Sequence, residues 1–199
     1  MGVHEREHLE VSDLGQLIDW LAQHHGTSDG LWVVFHKKAA GEPAPTYDEI
    51  VRALLCFGWV DSIPGKVDEM RTKLYVSPRK HTSAWSQSNK VRVSDLIASG
   101  AMTPAGFAAI DVAKSNGSWS RIDSAQNAEV PDDLAAAFDA HACSRENFDE
   151  FPRGVRKQIL EWISLAKAPQ TRSKRVAETA RLAAQNMRAN QWRPRNDAG

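Results

Sequence analysis

Hydrophobic residues alternate between helical and strand spacing along the first half of the chain. Between Val11 and His25, leucine and isoleucine recur every three or four positions, which predicts an amphipathic helix. The run from Leu31 to Phe35 is rich in β-branched and aromatic residues and predicts a buried strand. Thr46, followed three positions later by Glu49, is typical of a capping box and predicts the start of a second helix.

Two further strands are predicted next, over Trp59–Ile63 and Lys73–Val76, with a hairpin turn at Pro64-Gly65. Beyond Pro78 the spacing is helical. The residues predicted to begin helices are Ser83 or Ser86, Thr103, Pro131, Pro152 and Thr171. The polar stretch 120–129 has no periodicity and is the predicted linker.

This order of elements predicts an α+β fold, with a small, mostly antiparallel sheet packed with helices and then a helical C-terminal part. We expect an α+β domain over residues 1–119 and a helical subdomain packed on it over residues 130–190. Residues 191–199 are expected to form a frayed tail.

Charge and cysteine content exclude several classes of protein. Lysine plus arginine and aspartate plus glutamate both number 25, so bulk charge does not favour nucleic-acid or membrane binding. No apolar run approaches the roughly 20 residues of a membrane span, and no signal peptide is recognisable, which predicts a cytoplasmic protein. The two cysteines lack metal-ligand spacing, and nothing indicates a metal or cofactor.

Basic side chains follow two of the predicted strands. If the ends of these strands are neighbours, the side chains form a rim that suits a phosphate or carboxylate, beside the helix that Ser83 or Ser86 begins. The alternative is an ordinary polar exit from the sheet. The two runs are His36, Lys37 and Lys38, and Arg79, Lys80 and His81.

An acidic and an aromatic residue complete the predicted pocket. Asp61 alternates with Trp59 in a strand, so both face one side, and a carboxylate there forms either an internal salt bridge or hydrogen bond, or a site acid. Tyr47 and Tyr75 could add hydroxyl groups. Trp85 and Asn89 are one helical turn apart, where the asparagine either orients a ligand or fixes a loop. The predicted ligand-binding residues are Lys37, Trp59, Asp61, Arg79, Trp85 and Asn89.

Two alternative functions remain open from the residues alone. A small hydrolase or transferase would use Asp61 or Cys56 with His36 or His81, although Cys56 lies at a helix C-terminus, where the dipole disfavours a thiolate. The familiar catalytic motifs are absent, so the sequence favours a binding protein over an enzyme.

The second alternative is nucleic-acid binding through the basic C-terminal helices. The last helix carries Arg172, Lys174, Arg175, Arg181 and Arg188, and the helix before it carries Arg153, Arg156 and Lys157. The neutral net charge favours a solvated basic face, with an acidic protein partner as the next possibility.

Several segments in order resemble one bacterial family. They are W-V-V-F-H-K-K, T-Y-D-E-I-V-R-A-L-L-C-F-G-W-V-D-S, P-R-K, W-S-Q-S-N-K-V-R, M-T-P-A-G-F-A-A-I and L-E-W-I-S-L-A-K-A-P-Q-T-R-S-K-R-V-A-E-T. Together they resemble the YdeI/OmpD-associated, bacteriocin-protection-like proteins. The resemblance implies protection against bacteriocins and cationic antimicrobial stress and an association with an outer-membrane porin, and it brings no catalytic residues. We therefore expect a cytoplasmic binding protein for a small anionic ligand, a peptide or a protein partner.

Overall fold

The computed structural model describes residues 6–191. These residues form two compact units, and each is described by itself. The first consists of residues 6–83 and 88–119, and the second of residues 84–87 and 120–191. A four-stranded sheet in the first unit and helices in the second confirm the predicted α+β class.

The sheet of the first unit has the strand order β1-β2-β4-β3. Its strands are β1 (His8–Glu10), β2 (Leu31–His36), β3 (Trp59–Lys66) and β4 (Arg71–Pro78). β1 is parallel to β2, whereas β4 is antiparallel to both β2 and β3. The sheet is therefore mostly antiparallel, as predicted. β1 was not predicted, because three residues are too few to show a strand pattern.

The hairpin turn lies later than predicted. β3 continues through Pro64 and Gly65, and the chain turns over Val67 to Met70 instead. Pro64 is tolerated because β3 is an edge strand, where a missing N–H leaves no inner ladder bond unmade. The turn is held by the Asp68 carboxylate, which accepts hydrogen bonds from the main-chain N–H groups of Met70 and Arg71 at 2.9 and 2.7 Å.

Two helices of the first unit begin at the predicted caps, Thr46 and Thr103. The helices of this unit are α1 (Leu14–His24), α2 (Tyr47–Cys56), α3 (Gln87–Ala98) and α4 (Pro104–Ser115), and a short 3₁₀ turn covers Lys38–Ala40. Thr46 and Glu49 form the predicted capping box at the start of α2. Thr103 caps α4, with Pro104 at the first helical position.

The core of the first unit lies between one face of the sheet and the helices. Trp59 is only 1% exposed and belongs to this core. Its indole N–H donates to the main-chain oxygen of His25 at 3.1 Å, which satisfies the one polar group of a buried side chain. Other core residues are Leu17, Leu21, Leu31, Val33, Ile50, Leu54, Leu74 and Val76.

The second unit is helical. Its helices are α5 (Asp123–Gln126), α6 (Asp132–Asp139), α7 (Ser144–Glu150), α8 (Arg153–Ser164) and α9 (Pro169–Ala183). α5 lies inside the predicted linker, and α7 was not predicted. α9 ends near Ala183 rather than Arg188, and Asn186 has a positive φ of 53°. The core contains Leu134, Phe138, Phe148, Ile159, Ile163 and Ala180.

The predicted tail over 191–199 lies outside the described residues except for Gln191. Among the helices of residues 6–191, none combines the length and the apolar character needed to cross a bilayer.

Candidate functional site

The two basic strand ends do not meet, which corrects the predicted rim. β2 and β4 are antiparallel, with His36 opposite Arg71 and Leu31 opposite Val76. Lys37 therefore leaves the sheet at the end where β4 begins, whereas Arg79 follows the other end of β4. Arg79 lies eight positions after Arg71, which is roughly 26 Å of extended strand.

Lys37 holds the hairpin turn between β3 and β4. Its ammonium group donates to the main-chain oxygens of Asp68 and Glu69 at 2.9 and 3.0 Å. Its own N–H donates to the oxygen of Met70 at 2.9 Å. These bonds fix the position of the lysine head group and keep its positive charge at the end of β2.

A cavity of about 480 Å³ opens at this end of β2. Its lining includes His36, Lys37, Lys38 and, from the first turn of α2, Tyr47. Glu42 is the acidic member of the lining. Cavities of this size are typical of small-molecule sites, and the basic residues favour an anionic ligand.

Tyr47 connects this cavity to the predicted residue Asp61. The Tyr47 hydroxyl donates to Asp61 Oδ2 at 2.7 Å. Burial, followed by the hydrogen bond and the charge of Asp61, raises the pKa of Tyr47 to about 12. Because α2 covers the core face of the sheet, this bond shows that Asp61 faces the same side as Trp59, as the strand period predicted.

Arg79 lies close enough to Asp61 to interact with its charge. Burial lowers the pKa of the Arg79 guanidinium to about 10, and the negative charge of Asp61 opposes this shift. The main-chain N–H of Arg79 donates to the oxygen of Gly58 at 3.0 Å. The charge of Asp61 therefore acts on Arg79, whereas Lys37 lies at the other end of β4.

A set of ionic contacts between α2 and α3, which we call the Asp48 cluster, lies beside Tyr47. Asp48 accepts hydrogen bonds from Arg52 at 2.7 Å and from Arg92 at 2.8 Å. These arginines hold the pKa of Asp48 below its usual value. Arg52 also reaches Asp95 at 3.1 Å, and the Asn89 side-chain oxygen accepts from Arg92 at 3.0 Å. Asn89 therefore orients an arginine.

The two tryptophans of the predicted site have other surroundings. Trp59 is a core residue of the first unit, and Trp85 is 1% exposed and belongs to the second unit. The residues that sequence reasoning did not select are Tyr47, named only as a possible hydroxyl, and Asp48. Their signal was the capping box, which places both in the exposed first turn of α2.

The catalytic alternative gains no support from the geometry of Cys56 or His36. Burial raises the pKa of the Cys56 thiol, which disfavours the thiolate that nucleophilic catalysis requires. Cys56 precedes Trp59, which pairs with Pro78, whereas His36 pairs with Arg71 at the opposite end of β4. His81 is the other histidine of the catalytic alternative. Its main-chain oxygen accepts hydrogen bonds from Asn116 and Ser118.

Two of the basic residues proposed for nucleic-acid binding have partners within the second unit. Arg172 donates to both carboxylate oxygens of Asp133, at 2.7 and 2.9 Å. Arg175 donates to the main-chain oxygen of Trp162 and lies 4.8 Å from the centre of its ring. These contacts reduce the charge that this face offers to phosphates.

Within residues 6–191, no three histidine, cysteine, aspartate or glutamate side chains lie together so that they could hold a metal ion. The absence of a cofactor stays a prediction.

The first unit is a small mixed-sheet α+β domain with a basic cavity and a charged cluster, and the second is a helical unit. Residues 9–109, just over half of the chain, match the family described as "Domain of unknown function (DUF8412)". The chain therefore belongs to this family.

Residues 127–186 match a second family, described as "Bacteriocin-protection, YdeI or OmpD-Associated". This match confirms the predicted resemblance over that segment and suggests a bacteriocin-protection-like role. The other quoted motifs lie between Leu31 and Ile110, outside this second match. They fall within residues 9–109, which match the first family, except for Ile110 at the end of the last of them. No curated protein and no solved structure matches the chain.

Proposed function

We propose that the protein is a bacteriocin-protection-like binding protein whose first unit takes a small anionic ligand, or the anionic end of a peptide, into the cavity at the end of β2. The observation that carries this proposal is the lining of that cavity by three consecutive basic residues, His36, Lys37 and Lys38. Phosphate and carboxylate groups are the chemical classes that such a lining recognises.

The three basic residues contribute differently. Lys37 is held by the carbonyl groups of the hairpin turn, so it supplies a fixed positive charge. Lys38 is exposed and His36 half-buried, so their side chains can adjust to the ligand. Fixed charge lowers the ordering cost of binding, and adjustable donors complete the hydrogen bonds.

Tyr47 supports an anion in the same cavity. With a pKa of about 12, its hydroxyl stays neutral at physiological pH, so this wall does not repel a negative charge. Its bond to Asp61 directs the hydroxyl hydrogen towards that carboxylate. Asp61 and Arg79 then act as the support of the cavity wall rather than as direct ligands.

The family match supports the protective role, and the cavity supports the choice of ligand. Neither concerns the place where the protein acts, so the cytoplasmic location stays a prediction.

The test is a thermal-unfolding screen with inorganic phosphate, citrate and a short glutamate-rich peptide, against sodium chloride at matched ionic strength. We expect at least one anion to raise the melting temperature of the wild type, and the rise to be lost in Lys38→Ala. Lys80→Ala is the matched control, because Lys80 is also an exposed lysine but follows the other end of β4.

Equal rises in the wild type and Lys38→Ala would contradict the proposal, as would a flat screen. A rise that Arg79→Ala abolishes and Lys38→Ala leaves intact would place the anion beside Asp61 and Arg79 instead.

A further inference from the structure

A second cavity in the first unit has the opposite chemistry. It has a volume of about 310 Å³ and is lined by α1, α2, the end of α3 and the connection to α4. The apolar residues that form most of its wall include Leu14, Ile18, Ala53, Cys56, Leu96 and Ala101. Ile18 is 39% exposed, so the cavity opens to solvent on that side.

We propose that this cavity binds a small, uncharged, apolar molecule, a function beyond the proposed anion site. Apolar cavities of about 150 Å³ stay dry in water and take up a benzene ring. The present cavity is about twice that volume, so a ligand of two fused or linked rings, or a short branched chain, fits it.

The polar groups at the edge of the cavity already have partners, which is why we assign an uncharged ligand. Glu49 accepts hydrogen bonds from the N–H and the hydroxyl of Thr46, both at 2.7 Å. Arg52 is bonded to two carboxylates of the Asp48 cluster. The Thr103 hydroxyl donates to the main-chain oxygen of Cys56 at 2.5 Å. A charged ligand would have to break these contacts or lose its own hydration.

Close packing of α4 against α2 keeps the cavity open. A Cβ atom added to Gly106 would lie 2.5 Å from the oxygen of Cys56 and 2.9 Å from that of Leu55. A Cβ atom added to Gly58 would lie 3.1 Å from the oxygen of Ala105. Backbone already touches backbone here, so α4 cannot move closer to α2 to fill the space.

The test uses two dyes that share one skeleton, N-phenyl-1-naphthylamine and its anionic sulfonate, 8-anilino-1-naphthalenesulfonate. We expect the neutral dye to bind the wild type with a rise in fluorescence, and Ile18→Glu to weaken it at least tenfold by placing a charge at the opening. Ile97→Glu is the matched control, since Ile97 is a helical isoleucine that is 43% exposed and is not part of the lining. It should change the affinity less than twofold.

A filling variant gives a second, independent result. Ala101→Phe should occupy the cavity and weaken the neutral dye, whereas Ala108→Phe, at an exposed position of α4 outside the lining, should not. Equal affinities in Ile18→Glu and Ile97→Glu, or tighter binding of the sulfonate than of the neutral dye, would overturn the proposal.

Cys56 reports where the dye binds. In the Cys143→Ser background the chain has one thiol, and this thiol lines the cavity. We expect a saturating concentration of the neutral dye to slow the reaction of Cys56 with N-ethylmaleimide several-fold. An unchanged rate under saturating dye would show that the dye binds elsewhere, and that result would also overturn the proposal.

Discussion

Each unit contains an aspartate that two arginines share, but the surroundings of the two aspartates differ. In the first, Asp48 binds Arg52 within α2 and Arg92 from α3, 44 residues further along the chain. In the second, Asp149 pairs with Arg145 within α7 and, at 3.6 Å, with Arg156 of α8, and Arg172 with Asp133 joins α9 to α6.

The ionic contacts therefore have different roles in the two units. The second unit uses its ion pairs as ties within and between helices that surround a core of phenylalanine, isoleucine and alanine. The first unit places the Asp48 cluster directly beside Tyr47, at the edge of a cavity lined by basic residues. A mutation there changes several contacts at once, and it changes them next to the proposed binding site.

The largest effects should come from the two cores, where the units are expected to behave alike. Trp59→Ala and Phe148→Ala should each lower the free energy of unfolding by about 3–5 kcal/mol, because both side chains are at most 1% exposed. Urea unfolding followed by circular dichroism measures both losses. A small loss of unfolding free energy for Trp59→Ala alone would show that Trp59 is not a core residue, and it would favour the predicted place of Trp59 in the ligand pocket.

Substitutions at two glycines, one in each unit, should change the stability of the protein in opposite directions. Gly106→Ala should cost about 1–3 kcal/mol, because its new Cβ atom would overlap the oxygen of Cys56. Gly154→Ala, in the first turn of α8 with open space around it, should stabilise the protein by about 0.4–1 kcal/mol. The two melting temperatures should therefore move in opposite directions, and a shift in the same direction would contradict the close approach of α4 to α2.

The contrast in ionic contacts predicts a smaller effect with a defined pH dependence. Asp48→Asn should cost about 1 kcal/mol at neutral pH, and Asp133→Asn less, because the first removes a carboxylate that pairs with two arginines and the second a carboxylate that pairs with one. Urea unfolding at a series of pH values measures both.

Arginine partners lower the pKa of both carboxyl groups from the ordinary value of 3.8. Each carboxylate therefore contributes its full stabilisation above pH 3.8. This stabilisation is lost as the pH falls through the lower pKa that the carboxyl group has in the folded state. Variants that remain less stable than the wild type below that range would show that the loss has another origin.

The smallest effect should come from Tyr47→Phe, at about 0.5 kcal/mol, since Tyr47 is half-exposed and loses one hydrogen bond. Both tyrosines of the chain lie in the first unit, so tyrosine absorbance reports that unit alone. A titration step near pH 12 in the wild type should be missing in the variant. If the step persists, the hydroxyl of Tyr47 is not the group that Asp61 holds.

Local signals predicted most of the helices and the positions of three strands. The Thr46–Glu49 capping box and the Thr103-Pro104 start need only neighbouring residues, and both are present. α7 was missed because seven residues with few apolar positions show little periodicity. The hairpin turn was misplaced because Pro64 and Gly65 are permitted in an edge strand, and a sequence does not show which strand is at the edge.

The part of the candidate site that depends on a single strand was predicted. The parts that depend on contacts between distant segments of the chain were missed. The period of β3 was enough to place Asp61 on the face of Trp59. The distance from Lys37 to Arg79 depended instead on the pairing of β2 with β4, which connects residues far apart in the chain. The bond from Tyr47 to Asp61 likewise needs α2 to lie on β3, and no local pattern contains that information.

The interruption of the first unit at residues 84–87 has a consequence for recombination. A crossover between genes after residue 119 would leave the two family matches, 9–109 and 127–186, intact in sequence. It would nevertheless take Trp85, a fully buried side chain, from one parent and the rest of its unit from the other. Chimeras made at this point should inherit a mismatched core position, so productive exchanges require the residues around Trp85 to come from the parent that supplies residues 120–191.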